Sequence, residues 1–222
     1  EFSANLSHEL KTPLSIVYAY AEMLQMDESY PEEVKDYSQE IYASAQKLND
    51  YVSDVILVTD IESNVTLEKS NIFVPDLILS SIKQLKSFSE AKKIQWELNL
   101  KEYTQISCDS ILLEKAIFAI SKNAIIYNNL GGKVIIEVET ISSQVQIKIK
   151  DTGIGIAQEF QEKVFEKFFR IDSSLTYEVS GVGVGLFIAK KIVELHKGTI
   201  ELNSALGEGA TITIKLPMLP DS

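Results

Sequence analysis

The spacing of apolar residues changes once along this chain, and the change limits the folds it can adopt. Between residues 2 and 61, apolar side chains recur every three or four positions, which is typical of helices that bury one face. The stretch 62–71 is polar, and beyond it helical patterns mix with runs that alternate with period two. The pattern predicts an α+β chain with a helical hairpin at 1–62, a linker at 63–71 and an α/β sandwich domain at 72–222.

Two long helices are predicted in the first part, joined by a turn at 27–31, and Pro13 inside the first helix predicts a bend there. The second helix carries two apolar registers. One consists of Val34, Ile41, Leu48 and Val55, and the other of Ser38, Ala45, Val52 and Thr59. Two helices cannot bury both registers, so we expect a homodimer in which a second copy completes a four-helix bundle.

Alternating runs and helical runs share the second part. Asp109 and Ser110 are suited to cap a helix that runs to about Tyr127. We expect further helices at 157–168 and 185–196, and strands at 94–100, 134–138, 145–149, 199–205 and 210–216. These elements predict one mixed sheet covered on one face by helices.

Composition excludes several classes of partner. Acidic residues outnumber basic ones by 32 to 21, a net charge of −11 that argues against nucleic acid and against an anionic lipid surface. The single Cys108 and two distant histidines give neither an internal disulfide nor a zinc pattern, and they fit a reducing, cytoplasmic compartment. No apolar run approaches the ~20 residues of a membrane span, so we expect no membrane contact by this fragment.

Five of the ten glycines fall in two short stretches. The stretch 151–156 follows a predicted strand, and the stretch 181–185 opens a predicted helix, whose N-terminal N–H groups favour phosphate. Neither stretch ends in Gly-Lys-Ser/Thr, which excludes a P-loop, and no parallel βαβ unit is apparent to support a dinucleotide fold.

The stretch 7–14, Ser-His-Glu-Leu-Lys-Thr-Pro-Leu, holds one of only two histidines. On a helix, His8 shares a face with Lys11 and Thr12, and Glu9 lies beside it in the chain. A neutral imidazole has a free nitrogen lone pair and can act as a nucleophile. Alone, such a pair is typical of an exposed surface histidine, and only the motifs found elsewhere in the chain favour a different role.

Together these features resemble the catalytic core of a bacterial sensor histidine kinase over essentially the whole chain. The matching segments are 8–14 for the phospho-acceptor box, Asn123-Ala124 for the N-box, 151–155 and 181–185 for the glycine boxes, 165–170 for the F-box, and 207–209 for a weaker last glycine box.

The resemblance implies autophosphorylation of His8 by ATP and transfer of the phosphoryl group to an aspartate of a response-regulator receiver domain. Glu9 would take up or polarise the proton on the other ring nitrogen, and Arg170 would stabilise the γ-phosphate. Thr12 would orient water for a phosphatase activity. Asn123 would hold Mg²⁺, and Asp151 would accept a hydrogen bond from the adenine amino group.

Further implied nucleotide-binding residues are Tyr127, Gly153, Gly155, Gly181, Gly183, Gly185 and Leu186. Residues 172–180 would form a lid over the nucleotide, and the exposed positions Ile16, Ala19, Tyr20 and Met23 would help choose the regulator. The parent protein would be anchored in a membrane upstream of this fragment.

The chain departs from the family pattern at Ala119, Ile126 and Val182, where members often carry asparagine, lysine, and threonine or serine. These substitutions support an alternative, a signalling scaffold of the same fold that binds nucleotide weakly or not at all. An ATPase of the chaperone or topoisomerase type is a second alternative, but it leaves the helical hairpin and the His8-Glu9 pair unexplained. His196, late in a predicted helix, is interpreted as structural.

Overall fold

The computed structural model describes residues 2–63, 65–101, 104–171 and 181–218, with the side chains of residues 2–9 outside the description. The chain forms two compact units, one made mainly of residues up to Val65 and the other of residues from Thr66 onward.

The first unit is a helical hairpin of α1 (Phe2–Met26) and α2 (Glu32–Glu62), and α1 continues through Pro13. Ala21 of α1 faces Ser38 of α2, whose hydroxyl donates a hydrogen bond to the Ala21 carbonyl. The rings of Tyr18 and Tyr42 meet edge to face with centroids 5.2 Å apart. Small buried residues let the two helices approach closely.

The two apolar registers of α2 have different environments. Ser38 and Ala45 of the second register are buried, whereas Ile41 and Leu48 of the first register are 47% and 50% exposed. On α1, Leu10 and Val17 are each 40% exposed. The hairpin therefore keeps an apolar stripe uncovered in a single chain, as the two registers predict.

The second unit is built on a five-stranded sheet of order β2-β4-β5-β7-β6, in which β2 runs parallel to β4 and the other neighbours are antiparallel. The strands are β1 (Ser70–Phe73), β2 (Gln95–Asn99), β3 (Gln105–Cys108), β4 (Lys133–Ile141), β5 (Gln144–Asp151), β6 (Thr199–Ser204) and β7 (Ala210–Pro217), and β1 pairs with β3 in a separate ribbon. The helices are α3 (Val74–Gln84), α4 (Lys86–Ala91), α5 (Ser110–Ile126) and α6 (Gly185–Leu195). The predicted mixed sheet is confirmed.

Side chains that alternate along the central strands form the core. The buried set is Val134, Ile136, Val138, Val145, Ile147, Ile149, Ile212, Ile214 and Leu216. Helices α5 and α6 pack on the sheet and on each other. As predicted, α5 begins at an Asp109 cap, whose carboxylate accepts the Leu112 N–H at 3.1 Å.

The predicted helix at 157–168 is wrong. Two single 3₁₀ turns, Gln158–Phe160 and Lys163–Phe165, occupy this segment. Glu166 is extended with ψ of 151°, and Phe168 has φ of +62°, a value that no right-handed helix accommodates. The ring of Phe169 packs 6.0 Å from that of Phe160, so tertiary packing replaces helical hydrogen bonding here.

Four elements were absent from the sequence prediction: β1, α3, α4 and β3. Strand β1 includes Ser70 and Asn71, the last two residues of the predicted linker.

Candidate functional site

The phospho-acceptor box lies in α1, as predicted. Positions 8, 11 and 12 share one face of this helix, and Lys11 and Thr12 are exposed. The side chains of His8 and Glu9 lie outside the described residues, so their roles stay predictions.

Asp151 ends β5 and is buried, with 9% of its surface exposed. Its Oδ1 accepts the N–H of Gly153 at 2.8 Å and of Ala210 at 3.2 Å. Among the described residues Oδ2 accepts no hydrogen bond, so it is available to an amino group of a ligand. Burial raises the pKa of Asp151, and the two backbone hydrogen bonds oppose this rise. The two hydrogen bonds to Oδ1 thus hold the carboxyl group in one orientation, and Oδ2 is the oxygen that could accept from a ligand.

The first and last glycine boxes pack on one another. A Cβ on Gly155 would lie 1.9 Å from the carbonyl oxygen of Ala205, and one on Gly209 would lie 2.1 Å from that of Asp151. Both glycines have positive φ, +69° and +78°. The Gly207 N–H also donates to the Ile154 carbonyl at 2.8 Å. These glycines are therefore required by the protein's own backbone, which shapes the wall around Asp151.

The C-terminal end of α5 meets the first glycine box. Asn123 lies on the last turn of α5 and is half-buried, as is Tyr127, which follows the helix. The Ile154 N–H donates to the Tyr127 carbonyl at 3.1 Å, and a Cβ on Gly153 would lie 2.3 Å from that same oxygen. Burial raises the pKa of Tyr127, and the positive charge of Arg170 acts in the opposite direction. The structure thus brings Tyr127 within electrostatic range of Arg170.

Asn128 was missed by the sequence reasoning. It is buried, its Nδ2 donates to the Lys133 carbonyl at 2.8 Å, and its Oδ1 accepts the Thr152 hydroxyl at 3.2 Å. The only sequence signal is the run Asn-Asn-Leu-Gly-Gly at 128–132, which is typical of a turn. Asn128 thereby ties the end of α5 to the residue that separates Asp151 from Gly153.

The second glycine box leads into α6. The first hydrogen bond of this helix runs from the Ile188 N–H to the Val184 carbonyl at 2.8 Å, and none of the described side chains caps the N-terminus. The N–H groups of Gly185, Leu186 and Phe187 therefore face outward together with the positive end of the helix dipole. Such an end favours an anion.

The remaining glycines of this box differ in their surroundings. Gly183 has φ of +76°, and a Cβ on it would lie 2.7 Å from the Phe169 carbonyl oxygen. A Cβ on Gly181 would meet none of the described atoms within 4 Å, so packing against the described residues gives no reason for a glycine there. The predicted lid, 172–180, lies outside the described residues.

The start of α6 lies against α5. A Cβ built on Gly185 would be 3.8 Å from the Cβ of Ala119, which precedes Asn123 by one helical turn. The candidate metal ligand therefore lies one turn from the candidate phosphate site. Within the described ranges no three His, Cys, Asp or Glu side chains converge as a metal site. A cation here would depend on the Asn123 amide oxygen and on phosphate oxygens, a donor set that suits Mg²⁺.

His196 is buried, with 4% exposed, and lies outside this site. Its Nε2 accepts the Asp109 N–H at 2.9 Å, and its Nδ1 lies 2.8 Å from the Ile192 carbonyl, to which it donates. Burial lowers the pKa of His196. A neutral histidine with both nitrogens occupied has a structural role, as the sequence indicated.

Two families match the chain. Residues 108–220 match the histidine kinase-, DNA gyrase B- and HSP90-like ATPase family, and residues 1–64 match the His Kinase A phospho-acceptor domain. The chain therefore belongs to the histidine kinase-, DNA gyrase B- and HSP90-like ATPase family. Its two domains are those of the catalytic core of bacterial two-component sensor kinases.

A curated relative matches the chain over its whole length. The sensor-like histidine kinase SenX3 of Mycolicibacterium smegmatis is 31% identical over 222 residues, which cover 100% of this chain and 58% of SenX3. The chain thus spans little more than half of that relative.

Solved structures share the fold. Full-length ShkA in complex with AMPPNP aligns with a TM-score of 0.85 at 23% identity, covering 100% of this chain and 46% of ShkA. Histidine kinase ThkA in complex with the response regulator protein TrrA aligns with a TM-score of 0.68 at 22% identity, covering 99% and 62%. Among the described residues, no helix has both the length and the apolar character needed to cross a membrane.

Proposed function

We propose that this chain binds Mg-ATP in its second unit, phosphorylates His8 and passes the phosphoryl group to an aspartate of a response regulator. The observation that carries the nucleotide part is the Asp151 carboxyl group, which is buried and fixed by two backbone N–H groups, and whose second oxygen accepts no hydrogen bond within the described part of the chain. The family membership carries the choice of phosphoryl transfer over other uses of the same fold.

Each part of the site has a task in this proposal. Asp151 Oδ2 accepts a hydrogen bond from the adenine amino group, which selects adenine. The uncapped N–H groups of Gly185 and Leu186 hold phosphate oxygens, and Arg170 stabilises the charge that develops on the γ-phosphate. When bound, Mg²⁺ would supply charge neutralisation at the phosphates, and Asn123 is the side chain that we propose would hold it.

The transfer itself takes place at His8. One ring nitrogen of His8 uses its lone pair to attack the γ-phosphorus in line, the bond from that phosphorus to the bridging oxygen breaks, and ADP leaves with the bond's electron pair. Glu9 takes or polarises the proton on the other ring nitrogen, so the phosphorylated ring need not carry a full positive charge.

The hairpin supports a dimer and a protein partner. The exposed stripe of Leu10, Val17, Ile41 and Leu48 would be buried by a second copy. Ile16, Tyr20 and Met23 follow His8 on α1 and are 53%, 64% and 65% exposed, which suits docking of a receiver domain. ThkA, solved with a response regulator, is a structural precedent. Thr12, exposed one turn after His8, is proposed to orient water when the regulator is dephosphorylated.

We also propose that the parent protein is anchored in a membrane upstream of this fragment and that the fragment works on the cytoplasmic side. Fractionation of cells expressing the full-length parent tests this part.

Incubation with ATP labelled in the γ-phosphate tests the reaction. Wild-type protein with Mg²⁺ is expected to acquire label that resists alkali and is lost in acid, as a phosphohistidine does. His8→Ala should acquire none while binding nucleotide normally. Label retained by His8→Ala would overturn the proposal, and so would a wild type that binds Mg-ATP tightly yet acquires none.

A further inference from the structure

The last turn of α5, which carries Asn123, is capped by a lysine that is distant in the sequence. The final carbonyls of a helix have no intrahelical donors. Here the Tyr127 N–H donates to the Asn123 carbonyl at 3.0 Å and the Asn128 N–H to the Ile125 carbonyl at 3.1 Å. The Ile126 carbonyl accepts instead from the Nζ of Lys92, 34 residues earlier in the chain.

Lys92 lies between α4 and β2 and holds this segment at three points. Besides Ile126, its Nζ donates to the Asn128 carbonyl at 3.0 Å, and its own carbonyl accepts the Gly131 N–H at 2.9 Å. The side chain is half-buried. Lys92 therefore forms hydrogen bonds to the segment 126–131 through both its side chain and its backbone.

The charge of Lys92 suits this position. The C-terminal end of a helix carries a partial negative charge, which a cation within the last turn stabilises. Hydrogen bonds from an ammonium group are also stronger than those between neutral groups. Neither part of this contact is available to an apolar side chain of similar length.

The segment that Lys92 holds lies between Asn123, the candidate metal ligand, and the glycine box that follows Asp151. Asn123 lies on the turn that ends at Ile126. From the same end, the Tyr127 carbonyl accepts the Ile154 N–H, and the Asn128 side-chain oxygen Oδ1 accepts the Thr152 hydroxyl. A shift of this segment would move Asn123 relative to Asp151, whose own two backbone hydrogen bonds do not depend on Lys92.

We propose that Lys92 is a positioning residue for the kinase reaction: it sets Asn123 at the distance from the adenine site that Mg-ATP requires. This inference rests on the proposed function, since it concerns the same nucleotide site. It predicts that loss of Lys92 weakens nucleotide binding in the presence of Mg²⁺ more than nucleotide binding without Mg²⁺.

The test compares Lys92→Met with Lys93→Met, which removes a neighbouring, exposed charge, and with Lys92→Arg. Binding of a fluorescent ATP analogue is titrated with Mg²⁺ and repeated in EDTA, and amide exchange is measured without ligand. In Lys92→Met the Mg²⁺ midpoint is expected to rise about tenfold, as for loss of a group that orients a metal ligand. Exchange at Tyr127 and Asn128 should quicken while metal-free affinity changes little. Lys92→Arg should recover most of the loss, and Lys93→Met should match wild type.

A Lys92→Met protein with the wild-type Mg²⁺ midpoint and wild-type exchange at Tyr127 and Asn128 would overturn the inference. Equal losses with and without Mg²⁺ would also overturn it, because they would indicate general destabilisation. If Lys92→Met does not fold, Lys92→Gln, which keeps N–H donors but loses the charge and one methylene of reach, is judged by the same two outcomes. Failure of the proposed function would appear differently, as a wild type without label on His8.

Discussion

Replacing Asp151 by asparagine tests the adenine site with little change of shape. The amide oxygen of asparagine can take the place of Oδ1 and keep the hydrogen bonds from Gly153 and Ala210. The amide nitrogen then takes the place of Oδ2. It presents N–H donors to an adenine amino group that is itself a donor, so one hydrogen bond is lost and two donors face each other.

The magnitude follows from the charge of the lost bond. A hydrogen bond to a charged group contributes about 1.5–3 kcal/mol, and about 1.4 kcal/mol corresponds to tenfold in affinity. Asp151→Asn should therefore weaken ATP binding roughly ten- to hundredfold. Stability should not fall at neutral pH. Because burial raises the pKa of Asp151, its ionised form lowers the free energy of unfolding as pH rises through that pKa, and asparagine removes this cost.

Asp109, at the other end of α5, supplies a control in which stability rather than affinity should fall. Its Oδ1 accepts the Leu112 N–H and its Oδ2 the Glu68 N–H, both at 3.1 Å. Since both oxygens are used, Asp109→Asn sets a donor against a donor inside the protein and should lower stability while leaving affinity unchanged. Calorimetric titration with Mg-ATP and denaturant unfolding measure both quantities. Asp151→Asn binding within threefold of wild type would refute the reasoning, as would a loss of affinity matched in Asp109→Asn.

Three further predictions, which use four substitutions, test other parts of the structure. Gly155→Ala should cost at least about 2 kcal/mol of unfolding free energy, because its Cβ would lie 1.9 Å from the Ala205 carbonyl oxygen. Gly207→Ala, whose φ is +80° but whose Cβ meets nothing, should cost only about 1 kcal/mol by denaturant titration; equal costs would contradict the packing argument. Ala119→Asn, which adds an amide beside the start of α6, should tighten Mg-ATP binding several-fold by calorimetry, and unchanged affinity would contradict a phosphate site there. The lowered pKa of His196 means that the unfolded chain binds a proton before the folded one, so stability should fall as pH drops below ~6.5, by up to about 1.4 kcal/mol per pH unit. His196→Gln should flatten that profile in pH-dependent unfolding, and an unchanged profile would count against the assignment.

Much of the second unit could be predicted from the sequence because its elements carry strong local signals. The Asp109 cap and the apolar positions of α5 give its limits to within a residue, and the alternation of β4 and β5 gives a hairpin. The glycine stretch 181–185 indicated a phosphate site because it opens a predicted helix. What the glycines do was less apparent: Gly153, Gly155 and Gly209 make room for carbonyls of other segments, which only the fold brings near.

The missed features depend on contacts between residues distant in sequence. The apolar residues of 157–168 resemble a helix stripe, yet the Phe169 ring packs on Phe160 and the chain is extended at Glu166. Lys92 is one of 21 basic residues and has no local pattern. Its role comes from α5 ending beside it, 34 residues later. Helix α3 and the short strands β1 and β3 likewise lack a long periodic run.

The most direct test of the central claim is to locate the phosphoryl group. Wild-type protein is incubated with Mg-ATP, digested at neutral to alkaline pH so that phosphohistidine survives, and mapped by mass spectrometry, with Asp151→Asn as the nucleotide-deficient control. We predict phosphate on the peptide that contains His8, at a much lower level in Asp151→Asn. Phosphate confined to another residue, or equal labelling of His8 in both proteins, would contradict the account.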